Sequence, residues 1–219
     1  MLIIFDLDDT LIDTTGFITP FKMKECLKTL ISQGLKVSDF DRSYADLLEL
    51  NAKSSGSREA LVQFLKSAKD SYHLIEPALQ EMTTPLPAGF TIPTTPNAKE
   101  ILKFLSKSHS IALVTAGHPP FQMEKLEKAG IDRTIFSKIA IPENSIKKPF
   151  YEGLIREFSL SADQVLVCGD RIATDLVPAY ELGFTTVHMR WGRGTTFKTE
   201  EWINHTISDL SELKRIIKT

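Results

Sequence analysis

From residue 96 onward, short apolar runs alternate with segments of helical periodicity. The apolar runs span 111–114, 139–141, 165–168 and 185–189, and the helical segments span 98–107, 120–129, 149–158, 176–182 and 209–217. Nearly continuous apolar runs are typical of parallel strands that are covered on both faces. The alternation therefore predicts an α/β fold whose core is a Rossmann-like parallel sheet.

The first strand of this sheet is separated from the others by a different kind of sequence. Residues 2–5 form a short apolar run, whereas residues 15–87 have almost no strand-like alternation. Instead, apolar side chains recur there at helical spacing in four segments: Leu27, Leu30 and Ile31; Tyr44, Leu47 and Leu48; Leu61, Phe64, Leu65 and Ala68; Ile75, Leu79 and Met82. A proline-rich linker, 85–96, follows. We therefore expect an α/β core domain of residues 1–14 and 88–219, with a helical domain of residues 15–87 inserted into it.

Composition excludes several classes of partner. The formal net charge is −2 over 219 residues, which gives no electrostatic reason to expect nucleic acid or an anionic membrane as a partner. Apolar runs are far shorter than the ~20 residues of a membrane span. The two cysteines are far apart in the sequence, which is typical of a reducing compartment, and we expect a cytoplasmic protein.

Two carboxylates follow the first strand directly. Asp6 and Asp8 are two residues apart, so in an extended chain their side chains point the same way. Like charges this close require a cation, a shared proton or a basic partner. Carboxylate and carbonyl oxygens suit a hard cation such as Mg²⁺. The alternatives at this stage are an acidic turn that caps a helix and a calcium loop, although regular calcium-loop spacing is absent.

Polar residues also follow two later strands. Thr115-Ala116 comes after the strand at 111–114, and Gly169-Asp170 comes after the strand at 165–168, with Asp175 five residues beyond Asp170. Ligands of parallel α/β sheets bind outside the carboxyl ends of the strands. These residues are therefore expected to meet Asp6 and Asp8 at one edge of the sheet.

Together these segments resemble the four motifs of the haloacid dehalogenase (HAD) superfamily. Asp6, Asp8 and Thr10 match Asp-x-Asp-x-Thr, Thr115 matches the second motif, and residues 169–175 match Gly-Asp-x-x-x-x-Asp. Lys148 matches the lysine of the third motif, and Pro149 favours it over the adjacent Lys147. The resemblance implies a C1-type cap in the helical insertion and a first strand that lies between the strands carrying the second and fourth motifs.

The resemblance also implies a reaction. Asp6 would be the nucleophile and Asp8 the general acid and base, which favours phosphoryl chemistry over carbon–halogen cleavage. The phosphate would be bound by Thr115, Ala116 and Lys148. Mg²⁺ would be held by Asp6, Asp8 (through its backbone carbonyl), Asp170 and Asp175. The sequence is thus similar to that of a Mg²⁺-dependent phosphohydrolase acting on a small phosphorylated metabolite.

Two other functions remain open from the sequence. A phosphomutase would use the same residues but exclude water from the site. A non-catalytic binding protein of this fold would have no need of all the motif residues together. The substrate is open too. Candidate contacts are Lys53, Ser55 and Arg58 in the insertion and His118 just after the second motif. The sequence gives no indication of oligomeric state.

Overall fold

The computed structural model describes residues 1–67 and 71–217. The chain divides into two compact units, one made of Met1–Thr15 and Pro87–Thr219, and the other of Gly16–Leu86. The second unit is inserted into the first after one strand. No helix in the described part of the chain combines the length and hydropathy that crossing a membrane requires.

The inserted unit is helical. Its described residues form the α-helices α1 (Thr19–Ser32), α2 (Phe40–Lys53), α3 (Ser57–Ser67) and α4 (Ile75–Glu81). Along α1, Met23, Cys26 and Leu30 are buried, and this spacing of three and four residues places them on one stripe of the helix. Apolar residues of all four helices join them in one core. Ala68, which the periodicity also includes, lies outside the described residues.

The core unit is a six-stranded parallel sheet with helices between its strands. The strands are β1 (Leu2–Phe5), β2 (Ser110–Val114), β3 (Lys138–Ala140), β4 (Val165–Gly169), β5 (Thr185–Met189) and β6 (His205–Ile207), and the helices are α5 (Ala98–Leu105), α6 (Pro119–Lys128), α7 (Lys148–Glu157), α8 (Val177–Glu181) and α9 (Leu213–Ile216). The strand order is β3-β2-β1-β4-β5-β6. The predicted α/β class and the predicted position of β1 between β2 and β4 are confirmed.

Register brings the ends of the three central strands together. Phe5 pairs with Leu113 of β2 on one side and with Cys168 of β4 on the other. Every residue of β1 is buried, as expected for a central strand covered on both faces. The residues that follow β1, β2 and β4 consequently emerge at the same edge of the sheet.

The C-terminal part of the sheet differs from the sequence prediction. Strand β6 has only three residues, two of them the exposed polar residues His205 and Thr206, so it presents no apolar run to recognise. The expected helix over 209–217 is a 3₁₀ turn, Leu210–Glu212, followed by the short α9. These edge elements lie away from the site and do not change its construction.

Candidate active site

Three carboxylates meet where β1 and β4 end. Oxygens of Asp6, Asp170 and Asp175 all lie within 4.8 Å of one another, and all three residues are buried. Asp6 follows β1, and its backbone N–H donates to the carbonyl of Cys168 on β4 at 3.0 Å. Asp170 follows β4 directly. We call these three residues the acidic cluster.

Gly169 permits the close approach of Asp175. A Cβ at this position would lie 2.5 Å from Oδ2 of Asp175, which is closer than side chains tolerate. The same carboxylate accepts a hydrogen bond from the backbone N–H of Arg171 at 3.0 Å. Gly169 and the turn after it therefore fix the Asp175 side chain against the strand end.

One lysine neutralises part of the acidic cluster. The ammonium of Lys147 lies 2.6 Å from Oδ1 of Asp6 and 2.7 Å from Oδ1 of Asp175, and its side chain is only 2% exposed. Although burial opposes the charge, these two carboxylates raise the pKa of Lys147 above its ordinary value. The lysine is thus a fixed positive charge beside Asp6.

The cluster still carries an excess of negative charge. Burial, together with the neighbouring carboxylates, raises the pKa of Asp170, and burial also raises that of Asp6 against the opposing effect of Lys147. Oδ1 of Asp170 is buried and finds no hydrogen-bond donor among the described residues. Three converging carboxylates, with one ammonium to offset them and one oxygen left unpartnered, are a donor set that fits a hard divalent cation such as Mg²⁺. Asp6, Asp170 and Asp175 are the residues that could hold it.

The side chain of Asp8 lies outside this cluster. The chain turns immediately after Asp6, since the carbonyl of Leu7 accepts hydrogen bonds from the backbone N–H groups of Leu11 and Ile12 at 2.9 and 3.1 Å. Period-two alternation therefore ends at Asp6, and the two carboxylates have different partners. Asp8 forms an ion pair with Lys125 at 2.8 Å instead.

Several donors hold the Asp8 carboxylate in this second position. Gln122 donates from Nε2 to Oδ2 at 2.9 Å, and the Thr14 hydroxyl donates to Oδ1. Burial raises the pKa of Asp8, but Lys125 and the hydrogen bonds from Lys125, Thr14 and Gln122 outweigh it and hold the pKa below its ordinary value. Asp8 remains 29% exposed, which leaves it open to a reactant.

The residues after β2 lie on the same side as Asp8. The hydroxyl of Thr115 accepts from Nε2 of Gln122 at 2.6 Å, and the carbonyl of Ala116 accepts from the same nitrogen at 3.0 Å. Among the described residues, the backbone N–H of Ala116 has no acceptor. It is therefore available to an anionic oxygen.

A cavity of about 140 Å³ joins the two positions. Its lining includes Asp6, Asp8, Ala116, Ser145, Lys147, Arg171, Thr174 and Asp175. Both carboxylates that follow β1 thus face one space, which is large enough to admit a small anionic group. Thr115 is only 1% exposed and is not among the residues that line the cavity.

Lys148 is not brought to the site, and the preference for it over Lys147 needs correction. The Lys148 side chain is 41% exposed and pairs with Glu181 on α8 at 2.7 Å. Successive side chains near a helix start diverge by about 100°, so only one of two adjacent lysines can face the acidic cluster. In this chain it is Lys147.

Sequence reasoning also missed Lys125 and Gln122. Both are polar residues at buried positions of α6, in a row with Phe121 and Leu126. A polar side chain on the apolar face of an amphipathic helix signals a buried partner. Applied to α6, that rule would have indicated these two residues.

Comparisons with known proteins agree with this construction. A family model of haloacid dehalogenase-like hydrolases matches residues 1–183. Two relatives are proteins named glyceraldehyde 3-phosphate phosphatase. The one from Methanocaldococcus jannaschii is 28% identical over 99% of this chain and 96% of its own length. The one from Pyrococcus furiosus is 25% identical over 99% of this chain and 92% of its own.

Solved structures show the same fold. The HAD-hydrolase YfnB from Bacillus subtilis, described as bound to magnesium, aligns with a TM-score of 0.71 at 18% identity and covers 100% of this chain and 98% of its own. A HAD phosphatase from Thermococcus onnurineus aligns at 0.66 with 20% identity, covering 98% and 96%. Given the family match over most of its length, this chain belongs to the haloacid dehalogenase-like hydrolases.

Proposed function

We propose that this protein is a Mg²⁺-dependent phosphohydrolase that cleaves a small-molecule phosphomonoester through an aspartyl-phosphate on Asp6. The observation that carries the proposal is that the two carboxylates after β1, those of Asp6 and Asp8, have different partners. Asp6 lies in the acidic cluster beside Lys147, whereas Asp8 faces the same cavity from a separate set of donors. A nucleophile and an acid–base group are thereby kept apart but within one space.

In the first step, an oxygen of Asp6 attacks phosphorus. The new Asp6 O–P bond forms as the bond from phosphorus to the leaving oxygen breaks, and Asp8 passes to that oxygen a proton that it takes from the monoanionic phosphate ester. In the second step, Asp8 takes a proton from water, whose oxygen bonds to phosphorus while the Asp6 O–P bond breaks. The products are an alcohol and inorganic phosphate, and both aspartates are regenerated when Asp8 gives the proton from water to the phosphate.

Positive charge and hydrogen-bond donors would stabilise the transferred phosphoryl group. Lys147 supplies a fixed ammonium beside Asp6, and Ala116, whose backbone N–H has no acceptor among the described residues, lines the cavity. Mg²⁺ held by Asp6, Asp170 and Asp175 would add further charge neutralisation for the phosphoryl oxygens. The unpartnered oxygen of Asp170 supports this part of the proposal.

The names of the relatives support a small phosphorylated substrate. Glyceraldehyde 3-phosphate is the first compound to test, because four relatives carry the name glyceraldehyde 3-phosphate phosphatase. We further propose that the helical unit Gly16–Leu86 selects the substrate, the role that a C1 cap has by resemblance. Ser55 and Lys53 already pair with Glu59 and Glu49, so Arg58 is the stronger candidate contact there.

The test is phosphate release from a panel of phosphomonoesters that includes glyceraldehyde 3-phosphate. Release should require Mg²⁺, stop in excess EDTA and return when Mg²⁺ is restored, because three buried carboxylates repel one another without a cation. Full activity in EDTA would contradict the metal assignment. Transfer of the phosphoryl group to a second sugar phosphate without release of phosphate would favour a phosphomutase instead.

A further inference from the structure

Helix α6 carries two buried polar side chains that reach the end of β1. Gln122 and Lys125 are three residues apart and therefore share a face of the helix. They are only 2% and 6% exposed. Burying an amide or an ammonium costs free energy unless the group forms hydrogen bonds or ion pairs. The hydrogen-bond and ion-pair partners of Gln122 and Lys125 therefore hold the two side chains in place.

The partner of Lys125 is Asp8. Its ammonium lies 2.8 Å from Oδ1 and 3.0 Å from Oδ2 of that carboxylate, so it contacts both oxygens. Within the described residues, Asp8 is the only carboxylate that Lys125 reaches as an ion pair. This two-point contact restricts rotation of the carboxylate about its last bond.

Gln122 links Asp8 to the end of β2. Its Nε2 lies 2.9 Å from Oδ2 of Asp8, 2.6 Å from the hydroxyl of Thr115 and 3.0 Å from the carbonyl of Ala116. An ionised carboxylate and a backbone carbonyl only accept hydrogen bonds, so the amide nitrogen must face them. One side chain thus ties the acid–base group to the segment that lines the cavity.

We propose that Lys125 and Gln122 are positioning residues for the acid–base step. They hold Asp8 away from the acidic cluster and aim it first at the leaving oxygen and then at the attacking water. This inference rests on the proposed function, since it assigns a role within that reaction. It adds that α6, in which no motif of the sequence falls, sets the rate at which the aspartyl-phosphate is hydrolysed.

The main test is Lys125→Met, assayed with p-nitrophenyl phosphate. Its leaving group needs little protonation, so phosphorylation of Asp6 should proceed while hydrolysis, which needs the base, slows. We expect kcat to fall by about 10- to 100-fold, below the range for complete loss of an acid–base group. KM should fall in proportion, so that kcat/KM is unchanged, and the phosphoenzyme should accumulate in intact-mass spectra after rapid acid quench. With an alkyl phosphate, kcat/KM should fall as well.

Companion variants separate positioning from packing. Lys125→Arg should restore most of kcat, because a guanidinium can also contact both carboxylate oxygens. Gln122→Leu should give a weaker form of the Lys125→Met pattern. Lys128→Met is the matched control, since Lys128 lies on the same helix but contacts Glu124 and the carbonyl of Pro87 rather than Asp8, and its kinetics should stay within about twofold of wild type.

Two results would overturn the inference. One is unchanged kcat and no extra phosphoenzyme in both Lys125→Met and Gln122→Leu. The other is an equal loss of phosphorylation and hydrolysis in Lys125→Met that Lys125→Arg does not restore. Failure of the proposed function itself would be a different result: the wild-type enzyme would turn over substrate without forming any phosphoenzyme on Asp6.

Discussion

Asp6 and Asp8, which both follow β1, are identical in chemistry but have opposite surroundings. Asp6 is buried with Asp170 and Asp175, and Lys147 provides its counter-charge. Asp8 is partly exposed and accepts hydrogen bonds from Lys125, Gln122 and Thr14, with Lys125 as its counter-charge. Burial raises the pKa of Asp6, whereas the donors hold that of Asp8 below its ordinary value.

The difference shows how a fold assigns separate roles to equivalent residues. The turn after Asp6 sends the two carboxylates to different neighbours, and each neighbour is a lysine from a different helix. Lys147 lies at the start of α7, and Lys125 lies in the middle of α6. Charge complementarity from two elements, rather than any property of the aspartates, separates the position of the proposed nucleophile from that of the proposed acid–base group.

The largest expected effects come from replacing each aspartate. Asp6→Asn removes the proposed nucleophile, so no phosphoenzyme should form and turnover should fall to background. Asp8→Asn keeps the nucleophile and removes the acid–base group, so turnover should fall by about 10²–10⁴-fold. With p-nitrophenyl phosphate the aspartyl-phosphate should accumulate in Asp8→Asn, which intact-mass spectrometry after acid quench measures.

Circular dichroism spectra of both variants provide the control for folding. Wild-type turnover in Asp6→Asn would show that Asp6 is not the nucleophile. If both variants accumulate the same phosphoryl adduct, the proposed distinction between Asp6 as nucleophile and Asp8 as acid–base group is wrong.

The next effect contrasts the two adjacent lysines. Lys147→Met removes the ammonium beside Asp6 and should lower kcat by about 10²–10³-fold, the range for loss of one preorganised electrostatic group. Lys148→Met removes a half-exposed partner of Glu181 and should leave kcat within about twofold of wild type. Steady-state kinetics of the two purified variants under identical Mg²⁺ concentrations make the comparison. Equal losses, or a larger loss in Lys148→Met, would contradict the placement of Lys147.

The lysine pair also shows what the sequence could and could not predict. Pro149 indicates where α7 begins but not which adjacent side chain faces the sheet. The missed signal is periodicity, because Tyr151 and Leu154 are buried at four and seven residues beyond Lys147. Lys148 has Glu152 and Ile155 at the same spacing, on a less buried face. The helical stripe, rather than the proline, therefore identifies the inward lysine.

Other features followed from the sequence for clear physical reasons. Strand β1 and its neighbours were predictable because each is a continuous apolar run with polar residues at its carboxyl end. The convergence of Asp6, Asp170 and Asp175 then follows from parallel topology. The separation of Asp8 could not be predicted, because it depends on the turn at Leu7 and on contacts with α6, more than 100 residues further along the chain.

The smallest effect is on stability, and the two aspartates should differ in sign. Because the pKa of Asp6 is raised, its ionised form destabilises the folded protein, and this cost appears as pH rises from the ordinary carboxyl range through the raised pKa. Asp6→Asn should therefore raise the melting temperature by a few degrees at pH 7.5 in EDTA.

Because the pKa of Asp8 is lowered, its ionised form stabilises the fold at all pH values above the ordinary carboxyl range. Asp8→Asn should therefore lower the melting temperature by a similar amount. Differential scanning calorimetry in EDTA measures both shifts. Lowering the pH to about 4, where Asp6 is protonated in the folded wild type, should shrink the Asp6→Asn difference first, since Asp8 stays ionised to lower pH. Shifts of the same sign in the two variants would show that their surroundings are electrostatically alike, against the separation that the structure describes.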